Sequence, residues 1–278
     1  MKILKNITVF TMVMLLSVST VLEAREKNIS NFSSSASNLV DSTGTFDGNK
    51  IYADVANNGL FLDYHVSGDS ALEWPKGTGV HSIFQSALWM GATVNGSIRT
   101  IVGDYTQDMG PGPWGGDPLA AVHRIYKVEK SMLASPLDFA DFQEWPVEFG
   151  APWVDVDGDG VYTPLPGGTD HPEFLGDQVL WFVSNDGDPA YKLNFGTSPM
   201  NVEIQTTMFG FDRPDVFGDM VFLKQLVINK GSDDLVDTYM GLWSDPDLGY
   251  AGDDFVGCDV ALGMGYVWND GDDSQYST

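Results

Sequence analysis

The stretch from Trp153 to Pro164 reads WVDVDGDGVYTP, with Asp155, Asp157 and Asp159 at every second position and Gly160 closing the run. Three carboxylates this close repel one another unless a positive charge lies among them. The small residues between them let a tight loop turn all three toward one point. A hard cation bound by oxygen suits such a donor set, and Ca²⁺ fits it best. Val161, the next residue, would add a backbone carbonyl. The competing reading is a solvated Asp/Gly turn that holds no ion, because both residue types favour turns on their own.

The spacing follows the first half of an EF-hand loop, in which the first, third and fifth residues give side-chain oxygens and the sixth is Gly. The second half departs from that pattern. The twelfth position, a bidentate Glu in an EF-hand, is Pro166, flanked by Leu165 and Gly167, so no helix leaves the loop. In its Asp spacing alone the loop resembles the calcium loops of dockerins and thrombospondin type 3 repeats. Its coordination must then be completed by a later oxygen from Asp170, Glu173 or Asp177, of which Asp170 is favoured.

A second acidic stretch, WSDPDLGYAGDDFVGCD, brings Asp245, Asp247, Asp253, Asp254 and Asp259 close in sequence with no Lys or Arg among them. A loop folding back after a strand could let Asp245 and Asp247 share an ion with Asp254 or Asp259. Alternatively, Pro246 and Gly249 form ordinary turns whose aspartates cap backbone amides. A pair such as Asp245 and Asp254 also meets the minimum for glycoside hydrolysis, with Trp243, Trp181 and Trp268 available to stack on sugar rings. That chemistry needs one acid kept protonated by a drier setting. Turn carboxylates are well solvated and tryptophans in alternating runs usually face a core, so a non-catalytic role is expected.

The positioning elements can be read from composition. The chain has 278 residues, 43% of them hydrophobic, and a net charge of −25, enough apolar material for one large or two small domains. Its 31 Asp far outnumber its 8 Glu, which favours turns, caps and metal loops over helix interiors. The 14 Lys and Arg are scattered, so there is no electrostatic footprint for nucleic acid or an anionic membrane. Cys258 is the only cysteine, so no internal disulfide can form, and a buried strand position is expected for it. The four histidines are isolated, against a zinc site.

Residues 1–24 have the pattern of a secretory signal peptide: Lys2 and Lys5, an apolar stretch from Ile7 to Leu22, and Ala24 at the expected cut. A secreted or cell-surface protein with no membrane span after cleavage follows. Residues 25–49 read as a flexible Ser/Asn/Gly leader and 50–278 as the folded body, truncated at its C-terminal end. Short apolar or alternating runs recur through that body between Gly, Asp, Asn and Pro, as in an all-β antiparallel sandwich with long Asp/Gly-rich loops. Ser135-Pro136 followed by LDFADFQEW predicts one short helix. Val202–Met208, Met220–Ile228 and Leu235–Trp243 predict a three-stranded meander, with Cys258–Trp268 as a fourth strand.

WPKGTG, SIFQSALWMGATVNGSIRT, YTQDMGPGPW, APWVDVDGDGVYTP, LGDQVLWFVSNDGD, VINKGSDDLVDTYMGLWSDPDLG and DDFVGCD together resemble the N-terminal region of large exported proteins of Bacteroidetes and related phyla. Those proteins carry a C-terminal type IX secretion sorting domain. The resemblance spans roughly residues 50–278 and implies a surface-displayed or released multidomain β protein with no established reaction. The expected partner is a cell-surface or extracellular ligand, glycan or protein. A carbohydrate-binding module or glycoside hydrolase is the alternative.

Overall fold

The computed structural model describes residues 43–165, 170–194 and 196–270, together with the backbone of 6–13. Most of the expected signal segment and leader therefore lies outside the described residues. The strands are β1 (Asn6–Val13), β2 (Thr43–Phe46), β3 (Tyr52–Ala56), β4 (Leu60–Leu62), β5 (Leu72–Glu73), β6 (His81–Val94), β7 (Ser97–Val102), β8 (Gly110–Pro111) and β9 (Tyr126–Glu129). They continue with β10 (Trp153–Val154), β11 (His171–Pro172), β12 (Gln178–Asn185), β13 (Val202–Gly210), β14 (Phe222–Asn229), β15 (Val236–Pro246), β16 (Asp254–Asp259) and β17 (Met264–Asn269). Every pairing is antiparallel.

Two sheets face each other. One runs β1-β14-β13-β12, with β8 and β9 both on the far edge of β12. The other is built on the long β6, which pairs with β15 along one edge and with β5, β4 and β7 in succession along the other; β3 and β2 extend it beyond β5. The β6–β7 hairpin closes on Asn95 and Gly96, both at positive φ, which is the backbone that a two-residue turn of matching twist requires. Leu180, Phe182, Met208 and Leu223 of the first sheet meet Phe46, Val55, Leu72 and Ile83 of the second in one buried cluster. A second cluster joins Leu88, Met90 and Ile101 to Val202, Ile204 and Val227. The all-β sandwich expected from the alternating runs is the fold that forms.

All eight residues of β12 are buried. Strand side chains alternate between faces, so Leu180 and Phe182 enter the inter-sheet core while Val179, Trp181 and Val183 point the other way. That outer face is covered by Phe142, Trp145, Ala151, Trp153, Tyr162 and Phe174 from the segment between β9 and β12. The expected helix lies in this covering segment, broken into a 3₁₀ turn at Pro136–Asp138 and a single α turn at Ala140–Gln143, with Phe139 extended between them. Burial of both Phe142 and Trp145 fixes the path there, and Ser135 makes no side-chain cap.

Other expectations are corrected by the pairing. β14 pairs with β13, but β15 crosses to the other sheet and pairs with β6, so the consecutive antiparallel strands of the first sheet are β12, β13 and β14 rather than β13, β14 and β15. The connection between them turns on Asn201, whose carbonyl accepts the Lys230 and Gly231 N–H groups, and this carries the chain away from the edge of β14. Cys258–Trp268 is a hairpin of β16 and β17 rather than one strand, and Cys258 is exposed on it. The fold also starts ahead of Lys50, because Phe46 of β2 is fully buried and β2 pairs with β3. No helix among the described residues is long and apolar enough to cross a membrane.

Truncating Phe182 to Ala empties the centre of the inter-sheet core and should cost about 3–5 kcal/mol. Truncating the exposed Val256 to Ala should stay within about 0.5 kcal/mol. Urea denaturation of the two variants checks the contrast.

Candidate metal centre

The loop bearing Asp155, Asp157 and Asp159 leaves β10 and returns through β11, and these two short strands pair as Trp153 with Pro172 and Val154 with His171. The neck of the loop is moored to the layer that covers β12. Trp153 and Tyr162 meet edge to face with ring centres 5.6 Å apart, and the Tyr162 hydroxyl donates to the Phe142 carbonyl at 2.6 Å. Burial, reinforced by the negative charge of Asp170, pushes the Tyr162 phenol far above its ordinary value, so it stays a neutral donor.

Within the loop the carboxylates organise the backbone before any ligand is considered. Asp155 accepts from the N–H groups of Gly158 at 2.7 Å and Gly160 at 2.9 Å. Asp157 accepts from Asp159 N–H at 3.2 Å, and Asp159 from Val161 N–H at 2.7 Å. Gly158 and Gly160 both take positive φ, at 78° and 76°, a conformation that an L side chain would strain. Asp170 reaches in from the far end, its two oxygens accepting Val156 N–H at 2.9 Å and Thr163 N–H at 2.7 Å.

The result is convergence. One carboxylate oxygen from each of Asp155, Asp157, Asp159 and Asp170 lies within 4.8 Å of the others, a group that could hold a metal ion. Asp170 is buried while the other three are exposed. The remaining candidates for the closing oxygen are engaged elsewhere: Glu173 lies 4.0 Å from Lys224, while Asp177 accepts Asp212 N–H and lies 3.8 Å from Lys130. The Val161 carbonyl accepts the Thr163 hydroxyl at 3.4 Å. A carboxylate oxygen has two lone pairs, so an N–H bond to it does not prevent it from also ligating a cation. All the donors are hard oxygens, the ligand type that suits a cation such as Ca²⁺ or Mg²⁺.

The five aspartates of the second acidic stretch do not converge in this way; among the described residues the only such group is the one built on Asp155. Asp245, at the end of β15, accepts the Tyr105 hydroxyl at 2.5 Å. The Asp247 N–H donates to Ser82 O, and Asp254 accepts Leu248 N–H. Asp259 caps the β16–β17 turn through the N–H groups of Ala261 and Leu262. Both carboxylate oxygens of Asp253 are shielded from solvent and accept no hydrogen bond among the described residues.

Of the tryptophans available to stack on sugars, Trp181 is 1% exposed and belongs to the core. Trp268 lies on the outer hairpin beside Phe255 and Tyr266. Trp243 faces outward with Trp89, their rings stacked at 6.1 Å and nearly parallel, and Tyr105 meets Trp243 edge-on at 5.6 Å. Sequence reasoning missed Trp89 and Tyr105. Alternation in β6 could have found Trp89, since Leu88 and Met90 point inward and force it out. A shallow cleft of about 340 Å³ also opens beside Trp114, Gly115, Asn185, Asp188 and Tyr191.

Comparison of the chain with family models, with curated proteins and with solved structures returns no match.

Replacing Asp170 with Ala strands two loop N–H groups and should destabilise the metal-free protein by about 1–3 kcal/mol. Replacing the exposed Asp157 with Ala should change metal-free stability by no more than about 0.5 kcal/mol. Thermal melts in EDTA separate the two.

Proposed function

We propose that this chain is a secreted or cell-surface β module stabilised by Ca²⁺, with a structural, adhesive or ligand-binding role. The observation that carries the reading is the convergence of Asp155, Asp157, Asp159 and Asp170 within 4.8 Å. Four carboxylates at that separation carry mutual repulsion that a divalent cation would reverse, and Ca²⁺ accepts the six to eight oxygens that carboxylates, a carbonyl and water can supply. The chain's strongly acidic balance and lone cysteine, with the signal-like start, agree with a module exported to a calcium-rich medium, where a bound ion does the work of a staple. Modules of this kind bind with dissociation constants of about 10⁻⁴ to 10⁻³ M. The ion would draw the exposed rim of the loop onto buried Asp170 and so tighten the layer over β12.

Residues 25–278 melted with about 2 mM Ca²⁺ should unfold several degrees above the same protein in EDTA. Asp157→Asn combined with Asp159→Asn should remove that gain without lowering the EDTA melt, because the loss of two like charges relieves repulsion in the metal-free loop. A calcium gain that survives the double replacement would place the ion elsewhere.

A second reading, carbohydrate binding, is favoured by the outward platform of Trp89, Trp243 and Tyr105 next to Asp245. Flat aromatic surface beside a hydrogen-bonding carboxylate matches the alternating apolar and polar faces of a sugar. A glycan array should then give signal that Trp243→Ala abolishes while the fold is kept; no signal with the intact protein rejects this reading.

A further inference from the structure

Three ionisable side chains that play no part in the metal loop meet deep in the sandwich. Lys192 follows the 3₁₀ turn Pro189–Tyr191, Asp108 lies between β7 and β8, and Asp186 directly follows β12. Their side chains are 2%, 1% and 0% exposed. Lys192 Nζ lies 2.9 Å from Asp108 Oδ2 and 3.8 Å from Asp186 Oδ2, and it also donates to the Thr100 carbonyl. Asp108 Oδ2 additionally accepts Val102 N–H at 3.0 Å, and Oδ1 accepts Asn194 N–H at 3.4 Å. Asp186 accepts the N–H groups of Met200 at 2.7 Å and Val202 at 2.8 Å.

A buried lysine facing two carboxylates carries an excess negative charge unless one proton is shared. Burial raises the proton affinity of Asp186, outweighing the lowering effect of its two backbone donors and of Lys192. The cluster therefore holds an amine, a carboxyl carbon and a proton carrier in contact, away from water. Those are the components of amide formation.

We propose that Lys192 and Asp108 join spontaneously in a side-chain amide, with Asp186 as the proton carrier. In this step the ammonium passes a proton to Asp186 and becomes an amine. Nζ then attacks Cγ of Asp108, whose carbonyl is polarised by the Val102 N–H. The new bond is Nζ–Cγ and the bond broken is Cγ–O. Asp186 carries two protons in turn from nitrogen to the departing oxygen, which leaves as water, and Asp186 ends as it began. Ammonium plus carboxylate gives amide plus water, so no oxidant, reductant or activating co-reactant enters. Proximity replaces activation, since a fixed intramolecular pair reacts as if at very high concentration and a dry site favours loss of water. The bond would join positions 84 apart in sequence, a covalent staple in a chain whose single cysteine allows no internal disulfide among these residues.

Intact mass spectrometry of the purified, denatured chain, followed by proteolytic mapping, tests this. The expected result is a mass lower by one water and a branched peptide joining the Lys192 and Asp108 segments. An unchanged mass overturns the proposal. So does a lost water without a branched peptide, because Asp-Gly pairs such as Asp186-Gly187 lose water by closing a succinimide ring within one segment. Asp186→Asn should keep the full mass, and Asp186→Glu should restore the branched peptide; a branched peptide in Asp186→Asn removes Asp186 from the step. The wild-type mass decides whether the bond exists even if a variant does not fold.

Discussion

Everything in this molecule follows from one strand being dry on both faces. β12 is buried along its whole length, so two layers must be supplied to it. One is the facing sheet, led by Ile83, Leu72 and Phe46. The other cannot be a sheet, because the segment that supplies it is short of alternating runs, and it is assembled from 3₁₀ turns and aromatic side chains between β9 and β12. Burial of a large aromatic removes enough apolar area from water to offset the ordering of irregular backbone around it.

The aspartate loop is an outgrowth of that second layer. Trp153 and Tyr162 at its neck belong to the same cluster as Trp145 and Trp181, so the loop is anchored by apolar contact and shaped by hydrogen bonds from its own carboxylates. The division of labour among the four aspartates reflects position. Asp170 is buried, ties the loop ends through Val156 and Thr163, and serves the fold with or without a cation. Asp157 and Asp159 are exposed and bond only their immediate neighbours, so their arrangement is the part that an ion would reward.

Much of this was legible in the sequence. Period-two alternation marks β13, and short apolar or alternating runs between turn residues mark β6, β12 and β14, because side-chain burial in a strand is a local pattern. The choice of Asp170 over Glu173 and Asp177 was also within reach, since a loop closing on a short ladder favours the carboxylate nearest its return. Partner choice was not legible. Nothing in Leu235–Trp243 distinguishes a strand that pairs with β14 from one that crosses to β6, because strand edges offer the same backbone groups; in the structure β14 is flanked by β13 and β1, and β15 pairs with β6. In the second acidic stretch, nearness in sequence does not by itself gather the carboxylates: Asp245 ends β15, while Asp254 and Asp259 bound β16 of the outer hairpin. Lys192, Asp108 and Asp186 left no signal, being separated along the chain and joined only by the packing of two sheets.

The pairing of β1 with β14 decides which strand ends the first sheet. While Asn6–Val13 runs along Phe222–Asn229, β1 rather than β14 is the outermost strand of that sheet. A chain relieved of them presents eight residues of β14 as a bare template of N–H and C=O groups. Removing β1 would thus do more than shorten the chain. It would move the edge of that sheet inward to β14, whose N–H and C=O groups could then pair with another strand.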